Sequence, residues 1–115
     1  MTPYKDAINF IHRYPGTGSS IGMAKLILSI YNPIHSFGFA DCVRSFDKEG
    51  CKLAEHIVTL YMVNGEDDEL REVGYEIYKK FPSLVELSNA ADKAKAEVDR
   101  HWRIQYNARH DPELT

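Results

Sequence analysis

The chain has 115 residues, 43% of them hydrophobic and 27% charged, which is the composition of one globular domain and excludes wholesale disorder. Its 14 basic and 17 acidic side chains give a net charge of −3. This balance disfavours general nucleic-acid binding, because proteins that follow a phosphate backbone normally carry a surplus of Lys and Arg.

The first predicted helix runs from Pro3 to Tyr14, with Thr2 as its N-cap and apolar residues repeating at helical spacing. The loop that follows, Gly16–Ser20, precedes a helix N-terminus and has the ingredients of an anion cradle. It lacks both the Gly-Lys-Ser/Thr ending of Walker A and the third glycine of the Rossmann fingerprint. We therefore predict an ordinary turn, in which Ser19 or Ser20 caps the next helix.

The second predicted helix, Ser20–Tyr31, is apolar over most of its circumference. Only one narrow strip is polar or small, and we expect that strip alone to face water: Gly22, Lys25, Ser29 and Asn32. Because an apolar helix must be surrounded by other elements, this sequence predicts the central helix of the fold.

An aromatic loop follows the break at Asn32-Pro33, and its Phe37 and Phe39 are expected to fill the core. One or two helical turns are predicted within residues 40–46. A longer helix, Lys48–Val63, is capped by Asp47 and ended by Asn64-Gly65. Two cysteines lie in these segments and are predicted to be buried and reduced: Cys42 and Cys51.

The next predicted helix is Asp67–Lys80. Residues 66–76, which include its first turns, hold the entire charge excess of the chain, with six acidic side chains against Arg71. With Leu70, Val73 and Ile77 facing the core, four acids should point outward: Asp68, Glu69, Glu72 and Glu76. We predict that this acidic face meets a protein partner with a basic surface. A Mg²⁺ site and a merely solvated helix face are the alternatives.

A last long helix is predicted from the capping box that begins at Ser83, with the helical domain ending at residue 107 and a flexible tail over 108–115. Its apolar stripe is expected to pack in the core: Leu87, Ala91, Ala94, Val98, Trp102 and Tyr106. The cations of this helix offer an alternative nucleic-acid contact: Lys93, Lys95, Arg100, Arg103 and Arg109.

No spacing of the five histidines and two cysteines is typical of a metal site or a nucleophilic pair, so we predict no catalytic residue, metal or cofactor. The start of the chain has no apolar run of the signal-peptide kind. The longest stretch without Lys, Arg, Asp or Glu, residues 26–40, is too short to span a bilayer. These features predict a cytoplasmic protein.

Several short motifs, spread from Tyr14 to Trp102, resemble those of small uncharacterised proteins carried on bacterial plasmids and other mobile elements. They are Thr17-Gly18-Ser19-Ser20, the apolar helix ending in Tyr31-Asn32, Gly38-Phe39 with Asp41, Asp47 opening a helix, and Trp102-Arg103. The resemblance implies a bacterial accessory protein and brings no activity with it.

Taken together, the patterns predict an all-α domain of five or six helices around Ser20–Tyr31. The predicted function is that of a non-enzymatic interaction or regulatory protein, and a nucleic-acid-associated accessory factor is the alternative.

Overall fold

The computed structural model describes residues 2–110, and the side chain of His110 is not described. Within this range the chain forms six α-helices and one 3-10 turn, and no strand. This confirms the predicted all-α bundle. In chain order the elements are α1 (Pro3–Arg13), α2 (Gly18–Tyr31), the 3-10 turn (Pro33–His35), α3 (Phe39–Val43), α4 (Lys48–Asn64), α5 (Asp68–Lys80) and α6 (Pro82–His110).

Helix α2 is the centre of the bundle. It packs against α1, α3, α4, α5 and the 3-10 turn, and its Met23, Ile27 and Leu28 are fully buried. Burying such side chains contributes about 1.5–3 kcal/mol each, so a helix apolar on nearly every side is stable only when enclosed in this way. The predicted central helix is confirmed.

Of the four residues in the strip of α2 that was expected to face water, Gly22 faces α3 instead, and Lys25, Ser29 and Asn32 are half-buried. Gly22 is buried, and a methyl group added there would overlap the backbone carbonyl oxygen of Cys42. Ser29 donates its hydroxyl hydrogen to the Lys25 carbonyl at 2.8 Å and accepts the Phe37 N–H at 2.9 Å. At Gly22 the prediction was wrong, because a position without a side chain also lets another helix approach closely.

The turn between α1 and α2 is held by hydroxyl groups. Thr17, and not Ser19 or Ser20, is the N-cap of α2: its Oγ1 accepts the Ser20 N–H at 3.2 Å and donates to the Tyr14 carbonyl at 2.8 Å. Ser20 Oγ donates to the same carbonyl at 2.7 Å, and Ser19 Oγ donates to the Ser45 carbonyl at 2.6 Å. All three hydroxyls therefore hold the protein's own backbone in the manner of an interhelical turn.

Aspartates cap the two helices that follow. The Asp47 carboxylate accepts the Gly50 N–H and the Asp67 carboxylate accepts the Leu70 N–H, each at 2.8 Å. Such caps satisfy free N–H groups and are each worth about 1 kcal/mol. The cap predicted at Asp47 is confirmed, and so is the buried face of α5, formed by Leu70, Val73 and Ile77.

Helix α6 begins at Pro82, so Ser83 lies in its first turn and is not its N-cap. Only its first turns pack on the bundle, where Val85 and Ser88 are buried against α5 and the 3-10 turn. Ser88 Oγ donates to the Val85 carbonyl at 2.8 Å and lies 2.9 Å from Nδ1 of the buried His35. Because its hydroxyl hydrogen is used on Val85, Ser88 accepts a hydrogen bond from His35, which fastens α6 to the 3-10 turn.

The rest of α6, here called the arm (residues 92–110), projects from the bundle. Its described side chains, 92–109, are all exposed, and the molecule measures 60 × 29 × 24 Å. Trp102 and Tyr106, expected in the core, are each 62% exposed. The stripe prediction was wrong because none of the other elements within residues 2–110 extends far enough to cover it. Helix α6 also passes the expected end at residue 107 and continues to His110, while residues 111–115 lie outside the described range.

Two further expectations fail around α3. Phe37 is partly buried as predicted, but Phe39 is 80% exposed. Cys42 is buried, whereas Cys51 is exposed, and both are free thiols. Helix α3 has only five residues, which is too short to cover one side of α4, and the first turns of α4 stay open beside it.

One buried hydroxyl gives a testable prediction for stability. Tyr4 is fully buried, and within residues 2–110 its hydroxyl has no hydrogen-bond partner. Replacing Tyr4 by Phe removes an unsatisfied polar group and should stabilise the protein by about 1 kcal/mol, measured by urea unfolding at pH 7. A loss of stability in the Tyr4→Phe variant would show that the Tyr4 hydroxyl does make a stabilising hydrogen bond, and would contradict this prediction.

The same substitution should change the dependence of stability on pH. Burial, and after it the charge of Asp67, raises the pKa of Tyr4 above its ordinary value of 10.0. The folded protein therefore favours the protonated phenol. This contribution to the free energy of unfolding is complete below pH 10.0 and is lost as the pH rises through the raised pKa. The advantage of the Tyr4→Phe variant should therefore grow above pH 10, where unfolding at two alkaline pH values can measure it.

Candidate functional site

Helix α6 carries a continuous apolar stripe that runs onto the arm, where its described side chains are all exposed. At about 100° per residue, one face of α6 collects five side chains: Leu87, Ala91, Ala94, Val98 and Trp102. Leu87 and Val98 are each 57% exposed, and Tyr106 lies at the edge of the stripe. Large apolar side chains gathered on one exposed face are typical of interaction surfaces.

The arm is helical because of its own sequence rather than its packing. It contains three Ala, three Arg and two Lys residues, which are strong helix formers. Its one side-chain ion pair within the described residues joins Arg103 to Asp99 at 2.8 Å, both of them exposed. An exposed pair at this spacing contributes only about 0.3–0.5 kcal/mol. A helix without tertiary contacts is marginal in water, so the arm would gain stability from a partner.

The cations of the arm fall on two faces. Lys93, Arg100 and Arg103 lie together on the side opposite the stripe, whereas Lys95 and Arg109 lie beside or on the stripe. All five are exposed, as a nucleic-acid contact requires. The structure therefore brings three of the five predicted cations together, and one of these three is already paired with Asp99.

The acidic face of α5 is less open than expected. Asp68, Glu72 and Glu76 are exposed, but Glu69 is half-buried, and its buried Oε1 has no hydrogen-bond partner in the described chain. Glu69 was wrongly placed outward, because it lies in the first turn of α5, beside the buried Tyr4 whose pKa its charge helps to raise.

Basic side chains neutralise much of this acidic face. Arg71 contacts Glu66 at 3.1 Å and Asp68 at 2.5 Å, and the Lys5 ammonium lies 3.6 Å from the Glu72 carboxylate. Glu76 makes no ion pair with any residue in the range 2–110. The charge excess in the sequence thus corresponds to a much smaller free charge on the surface.

A second apolar surface lies between α3 and α4. It is a groove of about 570 Å³ with Leu26 in its wall, and its other lining residues include Phe39, Phe46, Cys51 and Val58. Sequence reasoning missed it because its walls come from separate helices. Phe39 was the available signal in the sequence, but its side chain was predicted to lie in the core.

Burial raises the pKa of the Cys42 thiol, which favours its protonated form.

Metal ligands do not converge in the described part of the chain, where no group of three or more His, Cys, Asp or Glu side chains could hold an ion. We expect the domain to fold without metal. Adding EDTA should leave the melting temperature unchanged in a thermal unfolding experiment, whereas a fall of many degrees would reveal a structural metal. None of the helices in the described range combines the length and the apolar composition that spanning a bilayer requires.

Comparison of the chain with family models, curated proteins and solved structures gives no match.

Proposed function

We propose that the protein is a non-enzymatic interaction module that binds a protein partner through the apolar stripe of the arm. The observation that supports this most is the exposure of Val98 and Trp102 on the arm, the part of α6 whose described side chains are all exposed. Covering such a stripe would supply both apolar burial and the tertiary contacts that the arm lacks. The resemblance to mobile-element proteins suggests a bacterial accessory role for this module.

The arm is favoured over the acidic face of α5 as the principal contact. Two of the four predicted acids, Asp68 and Glu72, lie beside basic side chains of the same chain, and Glu69 is half-buried. A basic partner would have to compete with Arg71 and Lys5. Exposed charge pairs contribute little affinity, whereas buried aromatic side chains often dominate it.

Nucleic-acid binding is the second candidate function, because three cations lie on the back of the arm. Lys93, Arg100 and Arg103 would together follow a phosphate backbone. Residues 92–110 carry five basic and three acidic side chains, whereas residues 1–91 carry nine basic and twelve acidic ones. The arm therefore has a small net positive charge, whereas residues 1–91 have a net negative charge that would repel a nucleic acid.

Photochemical crosslinking at single positions tests the proposal. A benzophenone side chain in place of Trp102 reports on the stripe. Matched probes in place of Ala96, on the back of the arm, and Glu76, on α5, report on the other two surfaces. We expect illumination of cells that express the protein to give discrete protein adducts from position 102 and few from the other two positions.

Each other outcome contradicts the assignment in a defined way. Adducts mainly from position 76 would place the contact on the acidic face. Adducts from position 96 that disappear on nuclease treatment would establish nucleic-acid binding. If all three probes gave no adduct, the proposed function would be rejected, because a bound partner must lie within reach of its own interface.

A further inference from the structure

We propose that the partner of the arm is a second copy of this chain, with the two arms paired antiparallel about a two-fold axis at Val98. This inference rests on the proposed function, since it names the occupant of the same stripe. A symmetric pair needs a surface that complements itself. Both the sizes and the charges of the arm's side chains meet this requirement.

The stripe is straight and its side chains are complementary in size. Leu87 and Val98, like Ala91 and Trp102, are 11 residues apart, a spacing close to the natural repeat of an α-helix. In an antiparallel pair, residues equally distant from Val98 face each other. Trp102 of one copy then lies over the small Ala94 of the other, which leaves room for the ring.

A parallel pair would fit less well. It would set Trp102 against Trp102 and Ala94 against Ala94, which crowds one level and leaves a void at the other. It would also place both helical bundles at the same end of the pair, whereas the antiparallel arrangement keeps them at opposite ends. In an antiparallel pair the two helix dipoles also point in opposite directions, which is favourable.

The flanks of the stripe are complementary in charge. Lys95 and Asp99 lie on one flank, and Glu97 and His101 lie on the other. In an antiparallel pair each flank meets the same flank of the second copy. Lys95 is three residues before Val98 and Asp99 is one residue after it, so Lys95 meets the second copy's Asp99 at a level about 3 Å away along the axis. Asp99 would then bind Lys95 of the second copy in addition to Arg103 of its own helix.

The same geometry pairs Glu97 with the second copy's His101. Each contact occurs twice because of the symmetry, so oppositely charged or hydrogen-bonding groups border the stripe on both sides. The cations that would repel one another, Lys93, Arg100 and Arg103, lie on the opposite side of the arm and point away from the pairing face.

The first test is the mass of the purified protein in solution. Sedimentation should show a concentration-dependent approach to twice the chain mass of 13.2 kDa. Val98→Glu would place two carboxylates against each other on the axis and should weaken the dimer about a hundredfold. The matched control Ala96→Glu, which adds the same charge on the back of the arm, should dimerise like wild type. Equal effects of both variants would overturn the proposal.

The second test fixes the orientation of the arms. In a Cys51→Ser background, which removes the exposed native thiol, Val98→Cys should form an intermolecular disulfide under mild oxidation, since the two positions meet on the axis. Ala94→Cys should not form one, because its two copies would lie about 12 Å apart along the axis. Rapid crosslinking through Ala94→Cys would show a parallel pair and contradict the antiparallel one.

The outcomes separate this inference from the proposed function. A wild-type protein that stays at 13.2 kDa throughout the accessible concentration range overturns the dimer. Photochemical adducts of position 102 then still decide whether the stripe binds another protein. A dimer that survives Val98→Glu would place self-association elsewhere on the molecule and would overturn the inference as well.

Discussion

Replacing Gly22 by Ala should destabilise the protein by about 3 kcal/mol, although Gly to Ala inside a helix ordinarily stabilises it by up to about 1 kcal/mol. The added methyl group would overlap the carbonyl oxygen of Cys42 and press on the Phe46 ring. Because the first of these neighbours is backbone, α2 and α3 must move apart, and no change of rotamer can relieve the overlap. Urea unfolding monitored by circular dichroism measures the loss.

Gly50 provides the matched control for this substitution. The three atoms nearest to a methyl group at Gly50 would all belong to the Phe46 side chain, at 3.2 Å, and these can shift. Gly50→Ala should therefore remain within about 1 kcal/mol of wild type, since the gain in helix propensity offsets the tight contact. If Gly22→Ala were no more destabilising than Gly50→Ala, the close packing of α2 on α3 would be wrong.

The sequence predicted those parts of the fold that depend on local chemistry. Asp47 as a cap, the break at Asn32-Pro33 and the buried face of α5 each follow from residues close together in the chain. The central position of α2 was also predictable, because a helix that is apolar on most sides has only one stable environment.

What the sequence could not predict depends on which elements reach one another. The stripe on α6 has the same periodicity whether it lies in a core or in water, and only the lengths and positions of the other helices leave Trp102 exposed. Phe39 and Cys51 were misplaced for the same reason, because α3 is too short to cover the side of α4. The acidic face differed because Arg71 and Lys5 approach it in the folded chain.

The apolar stripe of α6 was therefore predicted in the core and is found on the surface. The periodicity predicted burial within the chain, and the structure shows Val98 and Trp102 exposed instead. The physical requirement remains, since exposed Leu, Val and Trp side chains on one helix face still favour removal from water. We propose that a partner buries the stripe, which the rest of the described fold leaves exposed.

Amide hydrogen exchange, followed by mass spectrometry, measures whether the helix of the arm depends on a partner. In dilute protein, below the concentration at which it associates, residues 92–110 should exchange within about tenfold of the rates of an unfolded peptide. Amides of α2 around Met23–Leu28 should exchange at least about a thousandfold more slowly. Raising the concentration should protect the arm and leave α2 unchanged. An arm that exchanges as slowly as α2 in dilute solution would show that the helix needs no partner, and would contradict the account.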